Sequence, residues 1–255
     1  MDCSRNNSLS EVDLPKWRWN TFLNHSINLI SSFSPSPLPI PKHFLEKEIK
    51  FGAKDKSCMA KTVTWGCQIK KIRKIRAACV DAGSTASVLN LVFQPFEYYD
   101  LPFFGADFVT LGSGHLLALD LQPVLKNDRL HTESVWDKLI PLHDKWQSLL
   151  PSGGPIPVEA ESFFSPGFLW AKIPLGPDGE ELIDNIIFPA FKDYLSLYCE
   201  IMINAKSVKE DRSILLLKGQ REYLQYRSEK DPARAMLTRF YGREWTNDYI
   251  HNILF

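Results

Sequence analysis

The sequence predicts an α+β fold: a three-layer α/β/α sandwich in which helices cover both faces of one mostly antiparallel sheet. Three observations predict it. Residues 61–122 are rich in β-branched and aromatic residues, alternate with a period of two, and are cut into runs by short turn signals. Helix-type spacing of apolar residues flanks this block on both sides. No linker long enough to demand a second domain interrupts the chain, so residues 1–255 read as a single domain.

The elements follow in order. Residues 21–33 (TFLNHSINLISSF) have helical spacing and stop at the link 34–41, whose four prolines exclude a helix. Strands are expected over 61–69, 87–93, 107–111 and 115–122, with turns at Asp81-Ala82-Gly83 and Gly112-Ser113-Gly114. Such short connections favour antiparallel neighbours, because parallel strands need long crossovers. Beyond Asn127 the pattern becomes helical. Residues 132–150 are amphipathic and end at Pro151-Ser152-Gly153-Gly154, and 163–173 read as a further strand. Residues 179–205 form a long helix carrying Pro189, where a kink or break is expected. Helices over 208–226, 232–241 and 245–254 complete the chain.

Charge is balanced overall, with 30 Lys/Arg against 30 Asp/Glu, which argues against a general nucleic-acid binder. Its distribution is uneven. Residues 42–76 hold 11 basic and 3 acidic residues, whereas residues 77–201 hold 6 and 17. The positive segment suits an acidic partner. No apolar run approaches the roughly 18 residues that a membrane span requires. The five cysteines (Cys3, Cys58, Cys67, Cys79, Cys199) show neither a CxxC pair nor zinc spacing, and the odd count suggests free thiols in a reducing compartment. The six histidines show no metal-ligand spacing, so no protein-bound metal is expected. GxGxxG, Walker, GxSxG and HExxH motifs are all missing, and Gly112-Ser113-Gly114 reads as a hairpin turn.

Two carboxylates stand out. Asp107 lies in the apolar run Leu101-Pro102-Phe103-Phe104-Gly105-Ala106-Asp107-Phe108-Val109. Strand alternation puts it on one face with Val109 and Leu111, either at a cavity or hydrogen-bonded in the core, and burial there would raise its pKa. Asp231 lies among basic residues in Tyr226-Arg227-Ser228-Glu229-Lys230-Asp231-Pro232. An Asp at the N-cap with Pro at N1 is an ordinary helix start, and a capping Asp at a cavity edge can also do chemistry. Carboxylates in such different settings can have pKa values pushed apart, as proton transfer requires. Arg227, one turn before Asp231, can pair with it or with a substrate carboxylate. Asn90, between Leu89 and Leu91, is either a satisfied core amide or a site-lining one. The block Lys70-Lys71-Ile72-Arg73-Lys74-Ile75-Arg76 is either a solvated strand edge or a docking patch for an acidic electron-transfer protein.

The segments RKIRAACVDAGSTASVLN (73–90), YDLPFFGADFVTLGSGHLLALDLQP (99–123), GGPIP (153–157), FFSPGFLWAKIPLG (163–176) and YRSEKDPARAMLTRFYGREWTNDYIHNILF (226–255) resemble the ferredoxin-dependent bilin reductases. The resemblance runs from about Trp17 to the end of the chain. It is strongest to the branch that reduces 15,16-dihydrobiliverdin to phycoerythrobilin. It implies an α/β/α sandwich with the bilin between the sheet and the C-terminal helices. Asp107 would lie on the sheet side and Asp231 on the helix side, both as proton donors, with Arg227 on a propionate and Asn90 at the pocket. The phycocyanobilin-forming branch has His where this chain has Asn90 and Glu where it has Ala78, so the resemblance favours chemistry on the A-ring diene over D-ring vinyl reduction.

The resemblance also implies that no cofactor is bound by the protein. Electrons would come singly from reduced ferredoxin through bilin radicals, and the positive 42–76 segment would receive that acidic partner. The aromatic residues Phe93, Phe96, Tyr98, Phe103, Phe104 and Phe108 are expected to line a water-poor pocket. An upstream dihydrobiliverdin-forming reductase is a candidate partner. The N-terminal segment lacks the features of a targeting peptide, which points to a cytoplasmic, cyanobacterial-type protein, or to a plastid one if such a peptide was trimmed. Two alternatives stay open: reduction of biliverdin at C15–C16 by the same fold, and a bilin carrier without redox activity.

Overall fold

The alternating run becomes the centre of an eight-stranded sheet in the computed structural model, which describes residues 12, 14, 16–52 and 57–255. Cys3 and the charged residues Lys54, Asp55 and Lys56 lie outside the described residues. Helix α1 (Asn20–Ser31) precedes the short strand β1 (Ser36–Pro37), the one-turn helix α2 (Lys42–Leu45) and β2 (Glu46–Phe51). Then come β3 (Cys58–Ile69), β4 (Ile72–Asp81), β5 (Ala86–Pro95), β6 (Phe103–Leu111) and β7 (Gly114–Gln122). Helices α3 (Arg129–Gln147) and α4 (Val158–Glu161) lead to the last strand, β8 (Leu169–Ile173). The strand order is β1-β3-β4-β5-β6-β7-β8 with β2 also on β3, and every pairing is antiparallel. The α+β sandwich read from the sequence is the fold observed.

The turns are those expected. Leu111 pairs with Gly114 across a two-residue hairpin, and Gly114 has φ +136°. A Cβ there would come within 2.7 Å of the Ile173 carbonyl, so the position needs glycine twice over. After β8 the chain forms α5 (Pro177–Leu182), one wide π-turn (Ile183–Ile187) and α6 (Phe188–Asn204). Pro189 has no N–H to donate, and the π-turn just before it accommodates the missing bond, which is the break the sequence announced. Helices α7 (Glu210–Lys230), α8 (Ala233–Tyr241) and α9 (Arg243–Tyr249) follow, with a closing π-turn at Ile250–Leu254.

Alternation sorts the sheet residues into two cores. On one face Ile75, Ala77, Leu89, Leu91, Phe93, Phe104, Phe108 and Leu119 pack with Phe22, Leu139, Phe191 and Tyr198 from α1, α3 and α6. On the other, Ala60, Ala78, Val80 and Val88 pack with Leu237, Phe240, Tyr249 and Ile253. The Tyr241 and Tyr249 hydroxyls lie 2.8 Å from Thr62 and Thr64 and fix the C-terminal helices on β3.

Three expectations fail. The strand expected over 163–173 forms only over Leu169–Ile173. Strands β2 and β4 were not foreseen, because their charged residues break the apolar alternation. The block 70–76 is no solvated edge, since β4 lies between β3 and β5. Lys71 donates to the Met202 and Ile203 carbonyls at the end of α6 and to that of Ala205 just beyond it, at 2.7–3.0 Å. Arg73 donates to Gln220 at 2.5 Å and faces Glu97 at 3.7 Å, and Arg76 is buried. Lys70 is the cation of this block that remains fully exposed.

Candidate active site between the sheet and the C-terminal helices

Strand register assembles the floor. Ala78, Asn90, Asp107, Ala118 and Trp170 stand directly opposite one another on five successive strands, so they form one row on the second face. One step along, Arg76, Val92, Gly105 and Asp120 form the next row. Asn90, Asp107, Ala118 and Trp170 of the first row and Val92, Gly105 and Asp120 of the second face a cavity of about 300 Å³. Tyr223, Tyr226, Arg227 and Lys230 roof it from a single face of α7, at helical i, i+3, i+4, i+7 spacing. Pro155, Ile156 and Pro157 close one side together with Phe164 and Phe168. The Tyr223 hydroxyl donates to Gln122 Oε1 at 2.5 Å, tying roof to floor.

Asp107 is half-buried on this floor, between Asn90 and Ala118. Burial pushes its carboxyl pKa up, and the nearby negative charge of Asp231 adds to the effect. Arg227, the Asn90 amide and Arg76 pull the other way without reversing it. Val109 and Leu111 pack on the same face as Asp107, as alternation predicts. Asn90 is held from behind: Arg76 Nη1 donates to its carbonyl at 3.1 Å and to its Oδ1 at 2.5 Å. Burial alone would lower the pKa of Arg227, but Tyr223, Asp231 and Asp107 outweigh it and push the value up, so its charge is secure.

Asp231 joins α7 to α8. Its Oδ1 accepts the Ala233 N–H at 2.8 Å, and its Oδ2 lies 3.5 Å from Arg227. The helix begins at Ala233, one residue later than expected, but the capping role is the one read from the sequence. Asp231 is only 8% exposed, and its neighbours Lys230 and Pro232 line the cavity where it does not. The structure thus gathers Asn90, Asp107 and Arg227 around one cavity and sets Asp231 just off its wall, paired to Arg227.

The aromatic lining is a correction. Phe93, Phe104 and Phe108 point into the opposite core, and Phe96 stacks on Tyr98 with ring centroids 4.9 Å apart. Phe103 packs edge-on against Tyr223 at 5.2 Å. The rings that do line the cavity are Phe164, Phe168, Trp170, Tyr223 and Tyr226. Phe164 and Phe168 stack at 3.9 Å, and Phe168 and Trp170 lie nearly parallel at 6.1 Å.

Sequence reasoning also missed Asp120. It is buried on the floor row beside Asp107 and accepts Ser165 N–H at 2.9 Å and the Ser165 hydroxyl, which anchors the segment bearing Phe164 and Phe168. Burial pushes its pKa up to about 7 against these bonds. The alternation that placed Asp107 would have found Asp120 in Leu117-Ala118-Leu119-Asp120-Leu121. No group of three or more His, Cys, Asp or Glu among the described residues could hold a metal ion. No described helix is long and apolar enough to cross a membrane.

Residues 24–255 match the family model of ferredoxin-dependent bilin reductase. The chain belongs to that family. This bilin reductase is an oxidoreductase with full-length relatives. It is 56% identical over 255 residues to the phycoerythrobilin:ferredoxin oxidoreductase of Prochlorococcus marinus strain MIT 9211, covering 100% of this chain and 99% of that one. It is 54% identical to the protein of the same name from Synechococcus sp. strain WH8020, with the same coverage. Among solved structures it resembles phytochromobilin synthase from tomato in complex with biliverdin, with a TM-score of 0.80 at 26% identity, over 92% of this chain and 82% of that one.

Proposed function

We propose that the reductase converts 15,16-dihydrobiliverdin to phycoerythrobilin, adding two electrons from ferredoxin and two protons to the A-ring diene system. The observation that carries the proton chemistry is Asp107: a carboxyl held on the cavity floor, with its pKa raised by burial, facing a cationic roof. Such a group keeps a proton nearer neutrality than an exposed carboxylate does and can give it up when charge develops on a neighbouring atom. The names of the relatives that match over the full length support the product and the electron donor.

In this reading the bilin occupies the space between the Asn90–Asp107 floor and α7. Arg227, a fixed cation, takes a propionate through charge-assisted hydrogen bonds. Asn90, pinned by Arg76, presents its amide to the A-ring side. Asp107 protonates the bilin after the first electron. Asp231 relays the second proton: once the propionate that Arg227 then holds loosens their link, its carboxylate takes up a proton from solvent and passes it to the bilin. The stacked wall of Phe164, Phe168 and Trp170 excludes water, which protects radical intermediates. The tetrapyrrole is itself the electron acceptor, so the protein contributes orientation, protons and the approach of ferredoxin.

Anaerobic mixing with reduced ferredoxin and 15,16-dihydrobiliverdin, with biliverdin in parallel, tests the proposal by chromatography of the products. Phycoerythrobilin from the dihydro substrate alone is expected. Conversion of biliverdin to the dihydro compound would move the reaction to C15–C16. Recovery of both bilins unchanged would leave a carrier.

A further inference from the structure

A second cavity lies on the same face of the sheet, beyond Arg76. It measures about 470 Å³ and is enclosed by the stretch 38–44, β3, β4 and the end of the chain after α8. Leu38, Ile40, Phe44 and Ile253 give it apolar walls. Two cations, Lys74 and Arg76, line it from adjacent same-face positions of β4. No carboxylate acts on Lys74, and Arg76 feels the carboxylate of Asp231 and lies 5.6 Å from the Phe255 ring. Arg76 is 1% exposed; its Nε donates to Leu254 O at 3.0 Å and its Nη1 to Asn90, but its Nη2 is buried without a hydrogen-bond partner among the described residues. Lys74 is half-buried, and the charges that act on it, Arg76 and Arg73, are both positive. Asp248, the carboxylate that lines this cavity, is exposed. Two basic groups removed from water beside each other cannot both keep their charge cheaply, so Lys74 sheds its proton near neutrality unless an anion joins the pair.

We infer that this cleft binds the carboxylate of a small organic acid, with the acid head between Lys74 and the free Nη2 of Arg76 and the hydrocarbon part against the apolar walls. A carboxylate fits the pair because it accepts hydrogen bonds from guanidinium and ammonium at once. With a free acid the site rests on the cleft alone; with a bilin propionate it rests on the proposed function as well. It has a consequence for the first cavity, because the same guanidinium holds Asn90. An acid in the cleft and a bilin over Asn90 are therefore linked, each altering the affinity for the other by the same factor. Two sources share this chemistry: a free carboxylic acid, or a propionate of the bilin reaching across beside Arg76.

Burial, reinforced by Arg76 and Arg73, brings the pKa of Lys74 down to about 7, so it carries free amine at neutral pH. Trace acetylation of the whole chain by acetic anhydride at pH 7.5, read peptide by peptide by mass spectrometry, reports this directly. Hexanoate should slow acetylation of Lys74 roughly tenfold, because a bound carboxylate restores the ammonium form, while Lys70 is unchanged. Hexanamide, its neutral isostere, should have no effect. Calorimetry should detect hexanoate binding to the unmodified chain and lose it in Lys74→Met. Protection by biliverdin with none by its dimethyl ester identifies the anion as a bilin propionate. Persistent protection by hexanoate in the bilin-loaded protein identifies a separate acid. Equal rates at Lys74 with hexanoate, biliverdin and buffer, or equal protection by hexanamide, would overturn the inference.

Discussion

Replacing Asp107 by Asn separates the proton from everything else this residue does. The amide has the same size and keeps its place opposite Asn90 and Ala118, so the floor row stays intact. What disappears is the acidic proton. A positioned general acid contributes about 10²–10⁴-fold, which is roughly 3–5 kcal/mol at 1.36 kcal/mol per decade, so single-turnover reduction should slow by that factor. Stability should move the other way. The folded pKa lies above the ordinary carboxylate value, so the native state holds this proton more tightly than the unfolded chain does. The charged form therefore costs stability as pH rises from the unfolded value through the folded one. Asp107→Asn removes that cost: the variant should match wild type near pH 4 and be at least as stable at pH 8. The assay is anaerobic single turnover with reduced ferredoxin, beside bilin titration and urea unfolding. Full-rate turnover by Asp107→Asn would refute the reasoning, and so would loss of bilin binding together with loss of stability at pH 8.

Arg227→Gln removes the half-buried, ion-paired cation of the roof and should weaken bilin binding roughly 10- to 100-fold, as expected for hydrogen bonds to a charged group, by spectroscopic titration. Asp120 follows the same sign as Asp107. With a folded value of about 7, stability should fall as pH rises from about 4 to 7, by an amount on the order of 4 kcal/mol, and Asp120→Asn should flatten that slope in urea unfolding. Gly219 lies where α7 crosses the stretch after β7, and a Cβ there would sit 2.2 Å from the Val124 carbonyl. Gly219→Ala should therefore push the roof helix outward, cost about 1–3 kcal/mol in thermal unfolding and loosen bilin binding as well.

Much of the fold is legible in local chemistry. Alternation in β3, β5, β6 and β7 places their apolar residues facing the helices, and glycine pairs mark the turns. Pro189 announces the break that the structure resolves as a π-turn. Strands β2 and β4 escape because the charges in Glu46-Lys47-Glu48-Ile49-Lys50 and Lys70-Lys71-Ile72-Arg73-Lys74 break the alternation, the second block reading only as a solvated strand edge or a docking patch. Their neighbours override that signal, and Lys71 and Arg76 find buried or half-buried partners only in the folded chain. The floor of the site follows from the same alternation that sorted the cores, which is why Asn90 and Asp107 were visible. The aromatic wall was not, because the Phe-rich strands face the wrong side and the rings that matter come from the stretch 163–170 and from α7. Asp231 shows the limit of motif reading: its cap is evident from Asp-Pro, whereas its position off the wall depends on Arg227 and the α7–α8 angle.

Asp107 is the proposed proton donor, holding its proton on the cavity floor until the bilin takes it. Infrared difference spectroscopy of the bilin-loaded protein, recorded before and after delivery of one electron at neutral pH, tests this most directly. Reduction should remove a protonated-carboxyl carbonyl band, one that Asp107→Asn lacks from the start. A bilin radical that forms with no carboxyl band lost, or with the same loss in Asp107→Asn, would contradict that role.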